Sequence, residues 1–370
     1  MERFVKDSAK TAALRVRLLE WYARNRRDLP WRKSTDPYAI WVSEIMLQQT
    51  RVAVVIERYK TFLTRFPTLI SLALASEEEV LALWSGLGYY NRARTLHKAA
   101  KFVAENLGGN LPLRPAQLRD LPGIGEYIAA AVASIAHGEP VAVVDGNVER
   151  VICRLAGWNA GSRKGGGAAL RHRIAALAGR LLDARHPGDF NQAIMELGAT
   201  VCLPRNPQCL LCPLHLDCKT RGEHKTPRRE PIISREVAHA LSVRMPHDPG
   251  KHNGPGAREV LLQQRPVHLT VMPGLWELPT LRDTAVPPQN LRMTLRHAIM
   301  RVNYYVHIRT VFEDDVEALA VAGGPRRWVP LRETASMALT GLTRKVLLRA
   351  RLLPTAPLDA MAQPLDETVS

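Results

Sequence analysis

Leu121-Pro122-Gly123-Ile124-Gly125 stands directly before an apolar helical run over residues 127–136. Paired glycines let a backbone turn tightly, and the N–H groups that open the next helix can then face one phosphate oxygen. The stretch reads as the hairpin of a helix–hairpin–helix element, a grip on nucleic-acid backbone that carries no base information. Taken alone, a Gly-x-Gly at a helix start is equally well a plain turn, so the rest of the chain has to decide.

On both sides of the hairpin, from about residue 8 to residue 200, apolar residues recur at three- and four-residue spacing, broken by Pro and Gly at intervals that suit short helices. Residues 11–21, 38–62, 77–84, 92–105, 124–136 and 171–182 read as helical segments, which makes the first domain mainly α. The 370-residue chain carries a formal net charge of +16 and 46% hydrophobic residues. That length suits about two domains, each with its own core. The positive field attracts polyanions, nucleic acid or an anionic membrane, without choosing between them. There is no apolar run of the roughly 18 residues that a membrane-spanning helix needs. The opening MERFVKDSAK lacks the apolar core of a secretory signal. These features imply an intracellular, cytoplasmic protein whose thiols stay reduced.

Downstream of the hairpin, Val141-Ala142-Val143-Val144 leads into Asp145-Gly146-Asn147-Val148-Glu149-Arg150. This sets a carboxylate at the mouth of an apolar run, where Asp145 serves as an N-cap, as a catalytic acid, or as both. Four of the five cysteines then crowd into Cys202-x6-Cys209-x2-Cys212-x5-Cys218. Structural zinc sites are usually built from two short Cys pairs separated by a longer span. A compact single loop of four thiolates suits an iron–sulfur cube better, with zinc and disulfides as the alternatives. Cys153, within Val151-Ile152-Cys153-Arg154-Leu155, reads as a small buried hydrophobe.

Glu44 is the unusual acid, because Ile40-Trp41-Val42-Ser43-Glu44-Ile45-Met46-Leu47 is apolar on nearly every side. Burial there raises a carboxyl's pKa and suits it to act as a general acid near neutral pH, whereas on an amphipathic helix it would be a solvated charge. Beyond the cysteines, Thr226-Pro227-Arg228-Arg229-Glu230-Pro231 is a charged, proline-bearing linker. Past it, residues 237–244, 259–264 and 302–311 read as strands separated by turns such as His252-Asn253-Gly254-Pro255-Gly256, giving an α+β second domain. The Pro-, Ala- and acid-rich end beyond residue 353 reads as disordered.

Together these pieces resemble the endonuclease III superfamily of DNA glycosylases, and within it the MutY-type adenine glycosylases. The resemblance rests on Leu29-Pro30-Trp31-Arg32, Trp41 through Thr50, Gly86-Leu87-Gly88-Tyr89-Tyr90, the glycine hairpin, Val144-Asp145-Gly146-Asn147, Phe190-Asn191-Gln192 and the four cysteines. It implies a mainly α helix–hairpin–helix glycosylase domain over residues 1–225, with one [4Fe-4S] cluster on Cys202, Cys209, Cys212 and Cys218 in the loop 202–218. A linker over 226–236, a MutT-like (Nudix-like) α+β domain over 237–352 for recognising 8-oxoguanine, and a tail over 353–370 would follow. It further implies a monomer acting on double-stranded DNA that holds adenine opposite 8-oxoguanine or guanine.

The same resemblance assigns roles. Glu44 would protonate the flipped adenine, and Asp145, oriented by Asn147, would stabilise the oxocarbenium sugar, the two-carboxylate logic of glycoside hydrolysis. Arg32, Leu47 and Gln192 would line the base pocket. Gln49 and Tyr89 would fill the gap left in the stack, while Gly123 and Gly125 would hold the backbone. Bifunctional relatives carry a lysine where this chain has Tyr127, and a phenol cannot form a Schiff base, so a monofunctional enzyme is expected. Tyrosine there also occurs in thymine–guanine mismatch glycosylases of the superfamily. A non-catalytic iron–sulfur DNA-binding protein is the rival from another class.

The second domain is expected to resemble MutT through Arg258-Glu259-Val260-Leu261-Leu262, the run Met272 to Pro279 and the strand over 303–310. The acidic helix of a working pyrophosphohydrolase is missing after Pro279, so no nucleotide hydrolysis is expected. Where the family shows His-x-Phe-Ser-His, this chain has His297-Ala298-Ile299-Met300-Arg301. A thioether cannot replace a hydroxyl donor. Weaker discrimination between 8-oxoguanine and guanine is therefore expected.

Overall fold

The computed structural model describes residues 8–158, 167–224, 231–246 and 258–353. They gather into two compact units. One takes the described residues of Met1–Tyr59, Thr68–Ala73 and Lys98–Arg228, and the other those of Lys60–Pro67, Leu74–His97 and Arg229–Ser370.

The helices of the N-terminal region are α1 (Ser8–Asn25), α2 (Pro37–Leu47), α3 (Val52–Arg65), α4 (Leu69–Leu74), α5 (Glu77–Leu83) and α6 (Asn91–Asn106). They are followed by α7 (Pro115–Arg119), α8 (Glu126–His137), α9 (Gly146–Ala156), α10 (Gly167–Leu181) and α11 (Pro187–Thr200). Among the described residues none is long and apolar enough to cross a membrane. In the first unit α2 packs on α8, and α11 packs on α1, α8 and α9. Asp36 caps α2 by accepting from the Tyr38 and Ala39 amides, and Pro37 fills the first position, where an amide would have no partner anyway. Every residue from Tyr38 to Met46 is buried, as befits a helix apolar on all sides.

The single helix expected over 38–62 is in fact two. Gln48 leaves the helical region, Gln49 turns to φ +56, and the Thr50 amide bonds back to the Leu47 carbonyl at 3.3 Å. No Gly or Pro marks this break, so apolar periodicity runs straight across it. The expected helices at 11–21 and 171–182 extend to Ser8–Asn25 and Gly167–Leu181, and the other segments shift by a residue or two at their ends.

Buried Asn191 on α11 ties down the extended segment before Asp145. Its Oδ1 accepts from the Val143 amide at 3.0 Å, and its Nδ2 donates to the Val141 carbonyl at 2.8 Å and to Ser134 Oγ at 2.9 Å. A segment without ladder partners thereby gets its backbone groups satisfied.

In the second unit, β1 (Ile233–Leu241) pairs parallel with β6 (Val302–Thr310), which pairs antiparallel with β5 (Leu291–Ile299). A second sheet is built around β3 (Glu259–Gln264), flanked by β2 (Val243–Arg244), β4 (Trp276–Glu277) and β7 (Arg326–Pro330), all antiparallel. Helices α12 (Glu313–Leu319) and α13 (Gly341–Arg349) complete this α+β unit. The strand expected over 237–244 divides at Ser242 and starts earlier, so residues 233–236 are strand and not linker. Strand β5 was not anticipated, because its exposed face interrupts the apolar run. Residues of the N-terminal helices belong to this unit: Tyr90 donates to the Leu339 carbonyl at 3.0 Å, and Arg344 Nε to Ser85 Oγ at 2.8 Å. The linker core at 225–230, the turn at 252–256 and the tail from 354 lie outside the described residues.

Candidate active site

Glu44, on the buried face of α2, is 6% exposed, and its carboxyl accepts a hydrogen bond from the Tyr127 hydroxyl of α8. Burial pushes its pKa up to about 7. The Tyr127 bond and the Arg32 charge pull the other way, while Asp145 adds to the rise. Tyr127 is held far above the ordinary phenol range by burial and by Glu44, so it stays a neutral donor. A carboxyl half-protonated at neutral pH and supported by a hydroxyl can deliver a proton.

Asp145 is the N-cap of α9, its Oδ1 accepting from the Val148 amide at 2.7 Å. Its other oxygen accepts from Asn147 Nδ2 at 2.9 Å. The cap and the oriented-carboxylate readings therefore describe one arrangement. Arg150 steadies Asn147 from behind, donating to its Oδ1 at 2.9 Å, to the Gly198 carbonyl at 2.6 Å and to the Cys202 carbonyl at 2.8 Å. Gly198 of α11 lets the helices meet here. A Cβ at that position would lie 2.6 Å from Asn147 Cβ and 3.1 Å from its backbone.

These groups share a cavity of about 600 Å³, whose lining includes Arg32, Glu44, Leu47, Gln49, Tyr127, Asp145, Asn147 and Gln192. The same lining holds Arg27, Trp31, Glu149, Met195 and Glu196, none of which was given a role from sequence alone. Glu196 is one helical turn beyond Gln192 on α11, and that i, i+4 spacing was the available signal. Gln192 accepts from the Tyr22 hydroxyl at 3.3 Å, and Arg32 lies over the Tyr22 ring at 5.4 Å.

Gly123 and Gly125 both sit at the hairpin. Gly123 adopts φ +74, and the Ile124 amide closes the turn onto the Leu121 carbonyl at 3.2 Å. Gly125 is the N-cap of α8 and has no side chain to cap it, so the first amides of that helix are left for another acceptor. Gln49 and Tyr89 both hold left-handed backbone, at φ +56 and +48. Gln49 belongs to the first unit with the pocket, and Tyr89 to the second.

All four cysteines of the loop line one small cavity together with Arg154 and His215, and none of the five cysteines forms a disulfide. Burial raises the Cys212 thiol to about 11, and burial with the neighbouring cysteines raises Cys209. Among the described residues no three or more His, Cys, Asp or Glu side chains stand in a geometry ready to hold a metal ion. Arg154 is buried here. It donates to Cys202 Sγ at 3.4 Å and to the Leu203 and Pro204 carbonyls, and its Nε has no partner. A buried cation bonded to a sulfur and to carbonyls is an environment short of negative charge.

Residues 42–171 match the family described as HhH-GPD superfamily base excision DNA repair protein. A thermostable thymine-DNA glycosylase has a similar structure, with a TM-score of 0.52 at 31% identity over 57% of this chain and 96% of that one. The adenine DNA glycosylase of Mus musculus is 36% identical over 410 residues, covering 92% of this chain and 78% of the mouse protein. The adenine DNA glycosylase of Homo sapiens is 48% identical over 225 residues, 58% of this chain but only 41% of the human protein's length. The chain belongs to the adenine DNA glycosylase family.

Proposed function

We propose that the protein is a monofunctional adenine DNA glycosylase of base excision repair, removing adenine mispaired with 8-oxoguanine or guanine in double-stranded DNA. The observation that carries this reading is Glu44. It is a buried carboxyl with a pKa near 7 in the same cavity as the capped, Asn147-bound Asp145. Glu44 gives its proton to the flipped adenine, the C1′–N9 bond breaks, and the base leaves neutral. Asp145 stabilises the positive sugar on the opposite side until water adds at C1′ and leaves an abasic site. Arg32, Leu47 and Gln192 hold the base, Gln49 fills the stack, and the open amides behind Gly125 take a phosphate. Tyr127 has no amine, so strand cutting through a Schiff base is not open to this enzyme.

A second reading, thymine release, is favoured by the likeness to the thymine-DNA glycosylase and by Tyr127 itself. Glu44 weighs against it, because adenine has basic ring nitrogens to accept its proton and thymine has none.

Cys202, Cys209, Cys212 and Cys218 would hold a [4Fe-4S] cluster, whose thiolates would supply the anionic charge that buried Arg154 lacks. The cluster would cross-link the loop and take no part in base release. We read the chain up to residue 225 as carrying the glycosylase site and the α+β part from β1 to residue 352 as a MutT-like domain for recognising the opposite base, whose Met300 and Arg301 weaken the preference for 8-oxoguanine over guanine. The test is single-turnover release of free adenine. The Glu44→Gln variant should bind the mispair and release about 1,000-fold less, within the range ascribed to positioned acids. A borohydride-trappable adduct with strand nicking would contradict the monofunctional reading.

A further inference from the structure

Glu196 is 1% exposed, yet it carries no role among the residues that donate or stabilise charge in base release. Its carboxylate accepts from Arg27 at three points, the amide at 3.0 Å, Nε at 2.8 Å and Nη2 at 2.7 Å, and from Arg32 Nη2 at 2.7 Å. Arg32 in turn donates Nη1 to the Arg27 carbonyl at 2.9 Å. One anion therefore ties two guanidinium groups, both lining the cavity that holds Glu44.

We propose that Glu196 is a positioning residue for base release: it locks Arg32 in the base pocket and offsets two cationic charges beside a base that is gaining a proton. The inference rests on the glycosylase reading of the site. Arg32 has five N–H donors in a fixed fork, and two are taken by Glu196 and the Arg27 carbonyl. The remaining donors of a fork held in this way can be offered to ring-nitrogen acceptors. Without Glu196, two arginines would share a cavity with a base that must become positive before it leaves, and like charge opposes that step in a site shielded from water.

The charged and titratable groups that share the cavity with Glu44 are Tyr127 from α8, Asp145 and Glu149 from the start of α9, Arg27 and Arg32 before α2, and Glu196 from α11, of which Tyr127, Asp145 and Arg32 act on it directly. Arg32 already draws the Glu44 carboxyl toward ionisation. Glu196 itself is opposed by burial but pulled down to about 2 by the Arg27 and Arg32 hydrogen bonds, so it remains an anion throughout the working range.

The experiment compares wild type with Glu196→Gln, Arg27→Met and the double variant. It reads single-turnover adenine release from an adenine:8-oxoguanine duplex, binding of that duplex, and Glu44 titration in the free protein by carboxyl ¹³C NMR. Glu196→Gln should slow release about a hundredfold, the low end for loss of a well-set acid, and leave duplex binding within about threefold. It should also move the Glu44 titration to lower pH. Adding Arg27→Met should restore release at least tenfold by removing one uncompensated cation.

A wild-type rate with an unmoved Glu44 titration would overturn the proposal, as would a double variant slower than the single, the outcome expected of a merely structural ion pair. If Glu196→Gln does not fold, Arg27→Met alone decides: the Glu44 titration should rise, and a fall would contradict the account. Should the wild type release no base from any duplex, the glycosylase reading fails, while the free-protein titrations still judge Glu196.

Discussion

In the cavity that holds Glu44 three acids each meet a particular donor: Glu44 meets Tyr127, Asp145 meets Asn147 and the Val148 amide, and Glu196 meets Arg27 and Arg32. The two-residue turn between β5 and β6, by contrast, leaves Met300 75% exposed at φ +53 between the paired Ile299 and Val302. The pocket is set before any substrate arrives, and groups fixed in this way act on a reacting bond without reorganising. The turn is an exposed surface, and on the proposed reading contacts made there would adjust which opposite base is accepted. Substitutions in the pocket should therefore abolish or unbalance function, whereas substitutions in the turn should only shift preference.

The largest expected effect tests whether the pocket stores free energy in Glu44. Its folded pKa rises from 4.5 to about 7, so the group binds its proton more tightly folded than unfolded. Its stabilising contribution is fully present below pH 4.5, declines as pH climbs through 7, and is gone above. The shift corresponds to on the order of 3 kcal/mol. Relative to Glu44→Gln, the wild type should lose that much stability between pH 4.5 and pH 8 in denaturant titrations. Parallel curves for the two proteins would mean that the carboxyl is not buried in solution.

Next in size is the close approach of α11 to α9. Gly198→Ala places a Cβ 2.6 Å from Asn147 Cβ, and the shift that relieves this displaces Asp145 through Asn147. Release should fall about a hundredfold, the effect of roughly an ångström of misplacement, with duplex binding retained. An unchanged rate would show that Asp145 does not need Asn147 held where it is.

The smallest effect belongs to the turn. Met300→Ser combined with Arg301→His should raise the preference for adenine opposite 8-oxoguanine over guanine by less than about tenfold, the scale of one added hydrogen bond. No change would remove the turn from opposite-base choice.

The sequence carried the chemistry of the first unit further than its geometry. Glu44 stood out because a carboxylate among Ile, Met and Leu is anomalous, and the cysteine spacing because it can wrap one metal centre, whereas the glycine hairpin gained weight only beside that loop and the basic chain. Glu196 did not. A Glu on an amphipathic helix looks solvated until the arginines that bury it, more than 160 positions away, fold against it. The break at Gln48 and Gln49 was equally hidden, since left-handed backbone at a Gln is imposed by tertiary packing and not by local propensity. Strand β5 escaped because pairing with β6, and not its own alternation, makes it a strand.

The central claim is that Glu44 and Asp145 together release adenine. Its most direct test is single-turnover base release from four duplexes, with adenine opposite 8-oxoguanine, guanine or cytosine and thymine opposite guanine, and with Glu44→Gln alongside. The account predicts adenine release opposite 8-oxoguanine and guanine at rates within about tenfold of each other, if the turn contributes no more than about one hydrogen bond. It also predicts no thymine release and release about 1,000-fold slower from Glu44→Gln. Thymine release, or adenine release near the wild-type rate in Glu44→Gln, would contradict it.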